Sequence, residues 1–451
     1  MLAVYTAVTL LLSPAGPAGA DDPGGNEPLP GYTDGTPPLV PLVVDGRPTR
    51  VVQGMYRHAA YYLEVPAKWN GELVVWAHGM QGDGKVLKAE APVGGLRKQF
   101  IEEGYAWAAS SFPTTGYNVG PAVTSSRDLA EYAATELLAH RPKRTYITGG
   151  SMGGHVVARS LEEYPGYYGG GLSLCGQVAD RRLYDYFLDA NLAAQALSGV
   201  DAYPAGDDYQ TDALPLIEKR LGLTDLKPAE NPTTAAGRQY QEMFTELTGG
   251  PRPGADAALG IYVQAMLGSG LATSAGHQTQ NLTTRYKPTT PVDINPIVDR
   301  VAPDSWDERN SMELNAIPRV LGKPGVPVMS MHTMDDMLVP LSMQQTYTRR
   351  VAAHGQSDLL VNRVIRSATH CDFSDAELSK AWKDLTSWVE RRKGHGDKAA
   401  RPAGDDILNR KKVAALTFGC HFTDPKSPAT PTSESRKLFP ACPKERTHGG
   451  G

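Results

Sequence analysis

Arg144-Thr-Tyr-Ile-Thr-Gly-Gly-Ser151-Met-Gly-Gly-His155 decides how the rest of the chain is read. A β-rich run, Thr145 to Thr148, enters a glycine cluster, and a helical pattern (Val156, Val157, Leu161) leaves it. One serine stands in the middle, as Gly149-x-Ser151-x-Gly153. A serine at the tip of a sharp strand-to-helix turn projects its hydroxyl clear of the backbone. Strand and helix then pass so close that the flanking positions accept only small residues. Gly149 and Gly153 are those positions, and the turn places the N–H of Met152 at a helix start, aimed at whatever Ser151 attacks. As a bare pattern the pentapeptide is weak, and the strand before it and the helix after it give it meaning. The alternative is a glycine-rich connection without chemistry.

Working outward, Glu72 to Ala77 and Ala106 to Phe112 are continuous apolar runs, the mark of strands buried on both faces. Leu39 to Val44 and Ala60 to Val65 read as the first strands. Lys85 to Glu103 and Ser125 to His140 read as helices, the second capped by Ser125 or Ser126. Gly170 to Cys175 is the next strand. Alternating strand and helix imply a mostly parallel sheet with helices on both faces. The rhythm breaks over 181–322, where amphipathic stretches (Leu183 to Leu197, Ala213 to Leu223, Thr234 to Leu247, Ala257 to Leu267) predict a large, mainly helical cap insertion. It resumes with a strand over Gly325 to Met331, a helix over Leu341 to Ala353, a strand over Leu359 to Ile365 and an amphipathic helix over Ser374 to Arg392. The expected organisation is therefore a signal peptide over 1–20, an extended arm over 21–38, core over 39–180 and 323–392 around the cap, and a tail over 393–451.

Composition narrows the function. The chain has 451 residues and a net charge of −4, so no global field attracts nucleic acid or an anionic membrane. Leu2 to Leu12 is apolar but too short to span a bilayer. It leads to Ala18-Gly-Ala20, a small-x-small cleavage pattern, although no Lys or Arg precedes the run. The mature protein is expected to be secreted, with no membrane span. Four cysteines allow three pairings. Cys420 and Cys442 share the tail and are paired, which leaves Cys175 with Cys371. No Cys/His spacing suits zinc, and no metal or organic cofactor is implied. Asn281-Leu-Thr283 is a sequon, relevant in a glycosylating host.

A serine hydroxyl is a poor nucleophile at neutral pH. It needs a base, and the base needs a third group to fix its tautomer. Such groups belong in loops after late sheet strands, because chemistry in open α/β sheets gathers at strand C-termini. Asp335 or Asp336 supplies the acid and His370 the base. His332 precedes the acid, His155 sits in the elbow helix, and His354 has no strand end to present it. Oxyanion donors are expected at the N–H groups of Met80, after His78-Gly79, and Met152. His78 reads as an orienting residue beneath them.

Gly149-x-Ser151-x-Gly153, His78-Gly79, Asp336-x-x-Val339-Pro340 and His370 together resemble the α/β-hydrolase superfamily, over Val74 to about Trp388. The resemblance implies an α/β-hydrolase fold and the chain order Ser151, Asp336, His370, with Asp336 preferred to Asp335 because it stands four residues before Pro340. His370-Cys371 is also similar to the His-Cys of secreted tannase and feruloyl-esterase relatives, in which a cysteine precedes the nucleophile and bridges to the one after the histidine. Here Gly150 holds that place. A Cys175–Cys371 bridge would still tether the histidine loop; two separate buried thiols are the alternative. The expected activity is hydrolysis of a small-molecule carboxylic ester through an acyl-enzyme. Amide or peptide cleavage by the same residues is the second reading, and a non-catalytic binding protein the third. Tyr184, Tyr186, Phe187 and Tyr203 either line a substrate pocket or form the core of the cap.

Overall fold

The computed structural model describes residues 25–268, 278–287, 292–395, 400–424 and 433–443. The signal-peptide expectation lies outside the described residues. The apolar runs become strands of one eight-stranded sheet: β1 (Arg50–Tyr56), β2 (Ala59–Val65), β3 (Glu72–Ala77), β4 (Ala106–Ser110), β5 (Arg144–Gly150), β6 (Gly170–Leu174), β7 (Val328–Thr333) and β8 (Leu360–Ile365). Their spatial order is β8-β7-β6-β5-β3-β4-β2-β1. Every neighbouring pair from β8 to β4 is parallel, and β2 runs antiparallel to both β4 and β1.

The longer helices are α1 (Leu96–Glu102), α2 (Val119–Tyr132), α3 (Met152–Glu163), α4 (Arg182–Ser198), α5 (Leu214–Leu221), α6 (Ala235–Leu247), α7 (Ala255–Gly268), α8 (Leu341–Ala353) and α9 (Asp375–His395). Successive strand side chains point to opposite faces, and here both faces are covered. Leu73 and Val75 of β3 join Val119, Ala122, Val156 and Val157 of α2 and α3 in one core. Val74 and Trp76 join Leu96, Phe100, Trp382 and Trp388 of α1 and α9 in the other. A strand buried on both sides has no polar face to show, hence its unbroken apolar sequence. A third core unites α4 to α7 with Met334, Met337 and Val339 of the loop after β7. The insertion between β6 and β7 is thus packed onto that loop.

Three local expectations are corrected. The helix predicted from Lys85 begins only at Leu96, after Pro92 and a left-handed Gly94 (φ +56°). Val86–Leu87 instead pairs in parallel with Thr33–Asp34, tying down the N-terminal arm. α2 begins at Val119 rather than near Ser125, because distant carbonyls accept its first amides: Val119 N–H bonds Ala316 O and Gly120 N–H bonds Asn315 O, both at 2.9 Å. The strand predicted over Leu39 to Val44 shrinks to Val43–Val44, while the outermost strand, β1, went unforeseen.

Both disulfides form, Cys175–Cys371 and Cys420–Cys442, with Cα separations of 5.3 and 5.8 Å. Asn281 of the sequon is fully buried. Its amide donates to Tyr286 Oη (3.1 Å) and Asp299 O (2.6 Å) and accepts from Val301 N (2.7 Å). No helix among the described residues is long and apolar enough to cross a membrane.

Candidate active site

The elbow is built by crowding. A Cβ on Gly153 would lie 2.0 Å from Ala77 O of β3, and one on Gly149 would lie 2.5 Å from Gly153 O. Neither position admits a side chain. Ser151, between them, holds φ +56° and ψ −120°. Its amide donates to Leu174 O of β6 (2.9 Å), and its carbonyl accepts from Gly154 N (2.9 Å). The turn is thereby fixed from both sides, with Ser151 half-buried at the C-terminal edge of the sheet.

The loops after β7 and β8 meet it there. His370 Nε2 is 2.9 Å from Ser151 Oγ, and His370 Nδ1 is 2.5 Å from Asp336 Oδ2. A carboxylate only accepts, so Nδ1 carries the proton and Nε2 is left to accept from the serine hydroxyl. Asp336 is fully buried, and its other oxygen accepts the N–H groups of Leu338 (2.9 Å) and Val339 (3.0 Å). Both oxygens of this buried carboxyl group thus have hydrogen-bond partners.

Asp335, the neighbouring acid, points away from His370. It faces Arg252 (Nε to Oδ1 2.5 Å), and both side chains are wholly buried. Burial pushes its carboxyl up to about 7 against the pull of Arg252. His332 is buried with Nε2–H on Val339 O (2.7 Å), and burial lowers its pKa to about 4. His155 is held between Tyr117 Oη (3.0 Å) and Pro318 O (2.8 Å), also lowered to about 4 by burial. Both imidazoles are neutral packing groups.

The loop after β3 passes close to the serine: a Cβ on Gly79 would be 3.3 Å from Ser151 Cβ. His78 is buried, stacks on Phe112 with ring centres 4.1 Å apart, and has Nδ1 2.6 Å from Gly79 O. In a trans peptide C=O and N–H point in opposite directions. Fixing Gly79 O against His78 therefore turns Met80 N–H away from that ring. The Met80 N–H has no acceptor among the described residues. Met152 N–H, in the first turn of α3, has no intrahelical acceptor either.

How the insertion braces these loops is not legible in the order of residues. Arg252 Nε donates to Met334 O (2.9 Å), Tyr186 Oη to Met337 O (2.8 Å) and Tyr262 Oη to Ala368 O (2.7 Å). Tyr184, Tyr186 and Phe187 are buried in the insertion's own core, with Tyr203 packed against it half-buried. Among the described residues, one group of potential metal ligands lies close together, Cys175, His370 and Cys371. The disulfide consumes both sulfurs and leaves a single donor.

No family model matches the chain. A 62-residue stretch, 14% of this chain, is 36% identical to o-phthalyl amidase of Xanthobacter agilis and spans 14% of that protein's length. Among solved structures, feruloyl esterase B of Aspergillus oryzae aligns over 80% of this chain and 86% of its own, at 12% identity and a TM-score of 0.44. A 2,6-dihydroxy-pseudo-oxynicotine hydrolase aligns over 81% and 70%, at 16% identity and 0.36. The acylaminoacyl peptidase of Pyrococcus horikoshii aligns over 81% and 44%, at 10% identity and 0.37. The cysteine before the nucleophile that marks the tannase-like pattern is absent, and Cys175 takes the bridge to Cys371 instead. The strand order with its antiparallel β2, the elbow after β5 and the helical insertion after β6 make the architecture an α/β-hydrolase fold.

Proposed function

We propose that the protein is a secreted serine hydrolase that cleaves carboxylic esters through an acyl-enzyme. The observation that carries this reading is the continuous hydrogen-bond line Ser151–His370–Asp336, at 2.9 and 2.5 Å. Ser151 Oγ attacks the carbonyl carbon while His370 Nε2 takes the hydroxyl proton. Asp336 holds the imidazole in the accepting tautomer and faces the positive charge that develops. The oxyanion is received by the N–H groups of Met80 and Met152, each such donor lowering the barrier by about 2.7–4 kcal/mol. His370 then passes its proton to the departing alkoxide. Water, deprotonated by the same imidazole, releases the acid and restores Ser151. Export is supported by the N-terminal cleavage pattern and is compatible with the two disulfides.

Amide cleavage is the second reading, favoured by the stretch shared with an amidase. It requires the same histidine to protonate a leaving nitrogen. Turnover of p-nitrophenyl acetate against p-nitroanilides separates the two. Ser151→Ala should abolish both activities and labelling by a fluorophosphonate; ester hydrolysis surviving in that variant would sink the nucleophile assignment. Because a protonated imidazole cannot accept the serine proton, kcat/KM should fall on acidification. Flat activity down to about pH 4 would contradict a histidine base.

A further inference from the structure

His370 stands on the loop between β8 and α9, and that loop is held from outside its own elements. One hold is the Cys175–Cys371 disulfide, and another is Tyr262 of α7 on Ala368 O. The third comes from the far end of the chain. A short 3-10 turn, Ser433–Leu438, lies across the loop and bonds it on both sides of the histidine.

On the near side, Ser435 Oγ is 2.9 Å from Ser367 Oγ, accepts from Thr369 Oγ1 (2.9 Å) and lies 3.3 Å from Thr369 N. On the far side, Arg436 Nη2 donates to Asp372 O (2.7 Å) and Nε to Asp372 Oδ2 (3.1 Å). The same guanidinium reaches both Glu377 oxygens at 3.0 Å. Glu377 and Ser374 cap the start of α9 reciprocally. Ser435, Asp372 and Glu377 are all buried. The turn is in turn anchored at the second disulfide. Arg366, the first residue after β8, donates to Pro440 O (2.8 Å) and Leu416 O (3.1 Å), with Cys420 Sγ and Cys442 Sγ at 3.1 and 3.0 Å from its Nη1. Phe439 lies under the Arg366 guanidinium (5.7 Å) and against Gly254, where a Cβ would sit 2.8 Å from its ring.

We propose that this disulfide-anchored C-terminal segment is a strap, and that Ser435 and Arg436 are positioning residues holding His370 in line between Asp336 and Ser151. The inference deepens the catalytic reading above and rests on it for its kinetic consequence. The physical reason is entropic. Fixing a backbone segment costs conformational entropy, and past Ser367, whose carbonyl accepts Asp335 N–H (3.1 Å), the loop lies beyond the sheet. A displacement of about 1 Å at a reacting group can cost about 100-fold in rate. A buried serine hydroxyl and a four-bonded guanidinium, one on each side of the histidine, remove that freedom.

The test uses the full chain with Ser435→Ala, Arg436→Gln and the hydroxyl-retaining Ser435→Thr. Rates on a p-nitrophenyl ester are normalised to sites titrated with a fluorophosphonate, and thermal midpoints are recorded alongside. Ser435→Ala and Arg436→Gln should lower kcat by about 10-fold or more with KM within about twofold, and Ser435→Thr should recover most of the loss. A second readout needs no catalysis: in a Ser151→Ala background, the downfield imidazole N–H resonance of His370 bonded to Asp336 should weaken or vanish on adding Ser435→Ala. If kcat per titrated site and that resonance are both unchanged, the strap does not position His370 and the proposal is overturned. A fall in kcat that tracks a fall in thermal midpoint, with the resonance intact, also overturns it. If the wild type fails to label at Ser151, the catalytic reading falls, and the resonance alone decides the strap.

Discussion

Ser151 occupies a backbone region, φ +56°, that non-glycine residues enter at a cost on the order of 1–3 kcal/mol. The surroundings hold it there: the Leu174 carbonyl on one side, the crossing of β3 and α3 on the other. Gly153→Ala should therefore be among the worst single changes in the chain. A methyl group 2.0 Å from Ala77 O must push two backbones apart, which overpacking data place at about 1–3 kcal/mol or more. The expected outcome is a large drop in denaturation midpoint together with loss of fluorophosphonate labelling. Full labelling at native stability would show that the elbow does not depend on that close approach. This part of the site was legible because all its information is local: a strand, small flanking residues and a helix within twelve positions. The preference for Asp336 over Asp335 came from the resemblance, through its spacing to Pro340, and not from a difference in chemistry between the two residues. The two are told apart by which neighbour each carboxylate meets, His370 or Arg252, and those residues come from distant parts of the chain.

At the scale of elements, strand ends and loops carry the candidate site, and the insertion braces them. Arg252 lies in Pro251-Arg252-Pro253, a context that reads as loop, yet its side chain is wholly buried against Asp335. Removing one member of a buried pair costs about 3–5 kcal/mol, whereas replacing both with apolar groups is often neutral. Arg252→Met should thus destabilise strongly in urea unfolding, and adding Asp335→Leu should recover most of the loss. Additive losses in the double variant would mean that the contact is incidental. Helix positions within the insertion were readable because α5 and α6 carry an apolar stripe and several helices have recognisable ends; Thr234, for example, caps α6 by accepting Gly237 N–H. Which loops those helices would clamp was not readable, since a tyrosine hydroxyl looks the same in sequence wherever it lands. The start of α2 was hidden for the same reason, because its first amides are satisfied by residues about 200 positions away.

At the scale of the molecule, buried titratable groups act in opposite directions on the pH dependence of stability. His155 and His332, lowered to about 4, are protonated more in the unfolded chain, so their contribution is present above about 6.5 and is lost as pH falls toward 4. Asp189 and Asp335, raised to about 7 by burial, bind more protons when folded, so their contribution is present at low pH and is lost as pH rises toward 7. The overall curve blends the two, but a difference between variants isolates one. His155→Gln should be less stable than wild type at pH 7.5, and the gap should shrink by up to about 3 kcal/mol between pH 6.5 and 4. A gap constant across that range would show that His155 takes up its proton as readily in the folded chain as in the unfolded one.

Asn281 carries a different consequence. Oligosaccharyl transfer acts on nascent chains, before the side-chain amide has found Tyr286, Asp299 and Val301. A sugar tree added at that moment could not be accommodated later, because the amide nitrogen it occupies is wholly enclosed. Yeast or mammalian secretory production would divert material into chains unable to close around this asparagine, whereas a bacterial host without the transferase leaves the amide free to fold inward.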